Sequence, residues 1–98
     1  MIKREDFIFT VGYQGETAIV NGELKSKYGK LNSIEFAEKG FFKSAICSAL
    51  YDKKSGDLEK ILEIYNSKIE KKLESVDDLK KTFGVTEIPE GITKISII

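Results

Sequence analysis

From Asn32 to Tyr51 the chain carries apolar residues around almost the whole circumference that a helix over this stretch would have. Adjacent helical residues point about 100° apart, so Phe41 and Phe42 cannot share one narrow stripe, and neither can Leu50 and Tyr51. Adding Ile34, Phe36, Ala37, Ala45, Ile46, Cys47 and Ala49 leaves a polar gap only near Lys39 and Lys43. Asn32 stands as N-cap with Glu35 three residues on, the pattern of a capping box, and the helix is expected to run to about Tyr51. A helix apolar on nearly every side has to be covered on more than one. Two covers are open: burial between a sheet and the following helix, or a homodimer interface with Phe41, Phe42, Ile46 and Leu50 as its contact residues. A domain of 98 residues buries only roughly 60% of its unfolded surface, so the two can act together. Gly40 weakens the middle of such a helix by about 1 kcal/mol relative to alanine, which points either to close approach of another backbone or to a local break.

The segments on either side set the expected fold. Phe7, Phe9 and Val11 alternate with Ile8 and Thr10 as in a strand, Thr17 to Val20 follows the turn Gly12-Tyr13-Gln14-Gly15, and Asn21-Gly22 precedes Leu24, Ser26 and Tyr28. Asn-Gly between apolar runs predicts a type I′ hairpin, pairing Val20 with Glu23, Ile19 with Leu24 and Ala18 with Lys25. The first strand, apolar on both faces, is expected at the centre of the sheet. After Lys53-Lys54-Ser55-Gly56 as a connection, Asp57 is expected to cap a one-sided helix carrying Leu58, Ile61, Leu62, Tyr65, Ile69 and Leu73. Ser75 with Asp78 marks a short third helix closed by Gly84. Ile92 to Ile98 is expected to be a last strand docked beside the first. The resulting expectation is a single α+β domain over residues 1–98: a three-stranded N-terminal β-meander, three helices, and a C-terminal strand completing a four-stranded, mainly antiparallel sheet, β-β-β-α-α-α-β.

Composition limits the chemistry. One cysteine rules out an intramolecular disulfide framework or a multi-cysteine metal site, and the absence of histidine removes the commonest metal ligand and general base. Cys47 sits among apolar residues with no histidine to activate it, and reads as a small buried hydrophobe. Glu35 with Glu38 and Asp77 with Asp78 lie in first turns, where acids suit the helix dipole. Asp52 to Asp57 departs from a calcium loop, with lysine at a ligand position and glycine one place early. No catalytic residue, metal or cofactor is expected.

Sixteen basic and sixteen acidic side chains cancel, so no overall field gathers nucleic acid or anionic membrane. Residues 24–54 nevertheless hold seven lysines against Glu35, Glu38 and Asp52, a net of +4. Lys25, Lys27 and Lys30 around Tyr28 form the candidate nucleic-acid patch, set against the common use of lysines to guard a sheet edge. Gly12-Tyr13-Gln14-Gly15 has the G-x-x-G spacing of a backbone-clamping loop, but here it joins two expected strands, and a glycine-requiring turn accounts for it. The chain turns acidic at Glu5-Asp6 before any apolar stretch of signal-peptide length, and no run approaches the roughly 18 apolar residues of a membrane span; the expected setting is the cytoplasm, away from membranes. The leading functional expectation is a non-catalytic protein–protein interaction or homo-oligomerisation module. Behind it stand a weak nucleic-acid-binding module and, third, an enzyme or small-ligand sensor.

Overall fold

A computed structural model describes residues 2–98, which form six helices and three strands. They gather into two compact units, one made of the residues up to Leu31 together with Ile88–Ile98, the other of Asn32–Glu87. The α+β class stands, but the expected four-stranded sheet with three helices does not: the sheet has three strands in the order β1-β2-β3.

In the first unit, helix α1 spans Arg4–Ile8 where a strand was expected. Glu5 and Asp6 occupy its first turn, opposite in sign to the helix dipole there. Thr10 Oγ1 donates to Asp6 O at 2.6 Å, closing the last turn, and Phe7, Ile8 and Phe9 are all buried. The alternation of Phe7, Phe9 and Val11 misleads because Phe7 to Thr10 are all inside while Val11 is exposed, so period two carries no information. Strand β1 (Thr10–Gln14) then pairs antiparallel with β2 (Thr17–Val20) through a tight turn at Gly15, whose φ of +57° is a left-handed value that glycine adopts freely. The register slips between Thr10 and Gly12, leaving Val11 as the extra residue of a bulge.

The expected hairpin at Asn21-Gly22 is a helix start. Asn21 has φ −76°, incompatible with a type I′ turn, and its side chain accepts from Leu24 N as the N-cap of α2 (Gly22–Tyr28). Asparagine serves both roles through the same short amide, and Lys25 and Lys27 in the last turn suit the helix C-terminus. Gly22 is required by packing: a Cβ there would lie 2.5 Å from Ile97 Cγ2. The third meander strand therefore does not exist, and its place beside β2 is taken by β3 (Lys94–Ile97). This strand runs parallel to β2, with Thr17 opposite Lys94, Ala18 opposite Ile95, Ile19 opposite Ser96 and Val20 opposite Ile97. The C-terminal strand is thus not docked beside the first. Strand β2 is central, covered by α1, and β1 is an edge. A parallel pair needs a connection of a dozen residues or more, which the long intervening chain supplies.

The second unit is entirely helical. Asn32 and Glu35 form the expected capping box, with Asn32 Oδ1 accepting from Glu35 N at 2.9 Å and Glu35 Oε1 from Asn32 N at 3.0 Å. The expected single helix to Tyr51 is nevertheless two, α3 (Ser33–Glu38) and α4 (Phe42–Tyr51). Gly40 at φ +86° makes the break, and Phe41 N donates to Phe36 O across it. A Cβ on Gly40 would touch nothing within 4 Å, so the glycine serves the turn, with no backbone pressed against it. Helix α5 (Ser55–Lys68) follows a turn made by Lys53 at φ +56°, and Asp57, expected as its cap, lies inside the first turn and accepts from Ser33 Oγ. It stops before Ile69 and Leu73 because the Asn66 amide bonds both the N–H and the C=O of Leu73 at 2.9 Å. Helix α6 (Val76–Phe83) has the expected ends, Ser75 Oγ accepting from Asp78 N and Gly84 at φ +69°.

Candidate interaction surface

Of the four residues marked for a dimer contact on the first long helix, Ile46 is fully buried within the second unit, while Phe41, Phe42 and Leu50 are half-buried. Helix α4 packs against α3, α5 and α6, and Ile46 is fully buried among them. Ala45 and Ala49, both buried, present small side chains that let neighbouring helices approach. Phe42 meets Tyr65 edge-on, ring centroids 5.2 Å apart at 80°, and Phe83 at 5.9 Å, while Tyr65 meets Phe83 at 5.7 Å and 90°. Such a triangle of rings exceeds its area burial by about 0.5–1.5 kcal/mol per pair. The break at Gly40 turns two short stripes toward one core, which buries Phe36, Ala37, Ala45, Ile46, Cys47 and Ala49.

Cys47 belongs to that core, and burial pushes its thiol up to about 12 from the ordinary 9.0, with Lys43 pulling weakly the other way. A thiol so hard to ionise is a poor nucleophile. Among the described residues no three acidic, cysteine or histidine side chains gather at metal-binding distance.

Lys25, Lys27 and Lys30 fall on and just after α2, not on a strand face. They line a recess of about 500 Å³ with Glu5, Ser26, Tyr28, Gly29 and Leu31. Two of the three cations have work in the fold. Lys25 Nζ lies 2.5 Å from Oδ1 of Asp6, a carboxylate side chain only 6% exposed, and Lys27 Nζ sits over the Tyr28 ring at 5.5 Å. Arg4 donates to Gly29 O and Leu31 O at 3.4 and 3.2 Å, fastening the end of α2 to α1. A buried carboxylate needs a partner of this kind, so Lys25 anchors Asp6 and brings no free charge to the recess.

The largest exposed apolar side chains of the first unit lie on its sheet: Val11 and Tyr13 on β1, and Ile95, Ile97 and Ile98 at 40, 55 and 71% exposure on or just after β3. Ile95 and Ile97 share a face with Ala18 and Val20, which are wholly buried, so the covered centre of the sheet gives way to an open apolar flank. Lys94 N donates to Glu16 O, Ile98 N to Val20 O, and Gly22 N to Ile98 O. Alternate residues of a parallel strand direct both backbone groups to the same neighbour, so Ile95 and Ile97 turn theirs away from β2, along the outer margin of the sheet. Sequence reasoning identified the C-terminal strand and its isoleucines but expected them docked. Their exposure follows from β3 pairing on one side only, which no local pattern encodes.

Compared with known protein families, curated proteins and solved structures, the chain matches none of them. No helix among the described residues is long and apolar enough to cross a membrane.

Proposed function

We propose that the protein is a non-catalytic interaction module that self-associates by strand addition along β3. The observation that carries this reading is an edge strand whose four residues are all exposed, bearing Ile95 and Ile97 with outward backbone groups. Natural edges are commonly blunted by bulges, prolines or charges. Strand β1 has a bulge at Val11, while β3 carries one charge, Lys94, which lies 3.4 Å from Glu16 of its own sheet. A strand with one charge at its first residue and exposed isoleucines at its second and fourth is suited to receive another strand, with backbone hydrogen bonds supplying affinity.

The recess beside α2 supports the nucleic-acid reading less well, since Lys25 is committed to Asp6 and Glu5 adds negative charge to the lining. Sedimentation velocity from about 10 to 500 μM tests self-association. The expected result is a concentration-dependent dimer that Ile97→Lys abolishes with its helical circular dichroism unchanged. A wild-type chain that stays monomeric throughout, indistinguishable from Ile97→Lys, removes the reading.

A further inference from the structure

Resting on that self-association, we infer that two copies join β3 to β3 in antiparallel fashion about a two-fold axis passing between their Ser96 residues, making one six-stranded sheet. An antiparallel ladder forms only between residues whose backbone groups face each other, so Ile95 and Ile97 must meet odd-numbered residues of the other copy, and a two-fold axis must then pass through a self-paired position. Within β3 four such centres exist, and centring on Lys94 sets the two Lys94 side chains opposite each other and Ile95 against the partner's Thr93, a like-charge pairing that destabilises the ladder. Centring on Ile95 sets Ile97 against the partner's Thr93, and centring on Ile97 leaves Ile95 opposite nothing in β3. Centring on Ser96 sets Ile95 opposite the partner's Ile97, and Ile97 opposite the partner's Ile95. Each of these pairs closes a ring of two N–H···O=C bonds.

The side chains agree with the backbone. Ile95 and Ile97 project on the face of Ala18 and Val20, so the four isoleucines of the dimer extend the apolar face of β2 continuously across the axis. Ser96 projects on the other face with Thr17, Lys94 and Ile19. Lys94 falls at the outer end of the ladder opposite the partner's Ile98, so the one cation of the strand meets no like charge, and its own Glu16 stays beside it. The palindromic order Ile-Ser-Ile is the self-complementarity that an isologous contact demands. A ladder this short covers less than the roughly 1,200 Å² of a standard interface, which places the dimer in the weak class.

Disulfide trapping tests the axis. Self-paired residues at a non-hydrogen-bonded position have Cα atoms about 4.5 Å apart, inside the range of a disulfide. The two Ile95 residues would be separated by roughly 8 Å from the strand geometry, outside it. Cys47 does not interfere, because its buried thiol resists ionisation up to about 12. Under mild oxidant at 200 μM, Ser96→Cys is expected to form a covalent dimer at least tenfold faster than Ile95→Cys. Equal or reversed rates, in a wild-type protein that sediments as a dimer sensitive to Ile97→Lys, overturn the Ser96 axis while leaving edge association standing. A monomeric wild type with no trapping of either variant overturns both.

Discussion

The two units use apolar residues differently. In the helical unit Phe36, Ala37, Ala45, Ile46, Leu58, Ile61, Leu62 and Leu79 are all buried, because four helices offer each stripe a partner stripe. The sheet unit has one five-residue helix against β2, which hides Ala18 and Val20 and leaves Tyr13, Ile95 and Ile97 partly bare. A three-stranded sheet is wider than a single turn and a half of helix can cover, and the excess apolar width lies at its margins. The contrast teaches that a small chain can close one core fully and still keep a strand's worth of surface for another molecule.

Stability measurements can sharpen or break this contrast. The largest effect is expected at Phe36→Ala, fully buried in the helical unit, which should lose about 3–5 kcal/mol in urea unfolding; a loss below 1 kcal/mol would mean that core is not closed. Next comes Lys25→Met, which leaves the Asp6 carboxylate buried without its cation and should cost roughly 1–3 kcal/mol. No effect there would free Lys25 to serve the recess. Asn32→Ala removes the cap of α3 and should cost about 1 kcal/mol, read from the shift in urea midpoint. The smallest change is expected for Ile97→Ala in dilute, monomeric protein, within about 0.5 kcal/mol of the parent. A cost as large as that of Phe36→Ala would show that β3 is part of a core and erase the distinction between the units.

Legibility in the sequence follows the same divide. The start of α3 and both ends of α6 were readable because a cap is a local event: Asn32 with Glu35, Ser75 with Asp78, and Gly84 each act on backbone within a few residues. The break at Gly40 was one of two readings the glycine allowed, and an isolated sequence offers no means of choosing, since a turn and a close contact both favour a missing side chain. Asn21-Gly22 failed for a related reason, the asparagine amide being as good a helix cap as a turn former. Strand order was beyond local reasoning altogether. Whether Ile95 lies beside β1 or β2 depends on contacts distant in sequence, and the exposed flank proposed as the working surface exists only because β2 was chosen. Lys25, Lys27 and Lys30 line one recess, on and just after a helix where a strand had been expected, and Lys25 could be assigned to Asp6 only once α1 was seen to be a helix.

Asn66 has a consequence for engineering. By holding both backbone groups of Leu73, its amide ties the last turns of α5 to Leu73 and closes the stretch from residue 69 to 72, where Ile69, Glu70, Lys71 and Lys72 face solvent. A segment clasped at its base can be lengthened with little disturbance to what lies beneath, since the entropy of a longer loop grows only logarithmically. That makes it the natural seat for a grafted epitope or fluorophore, well separated in sequence from the strand that would report on assembly.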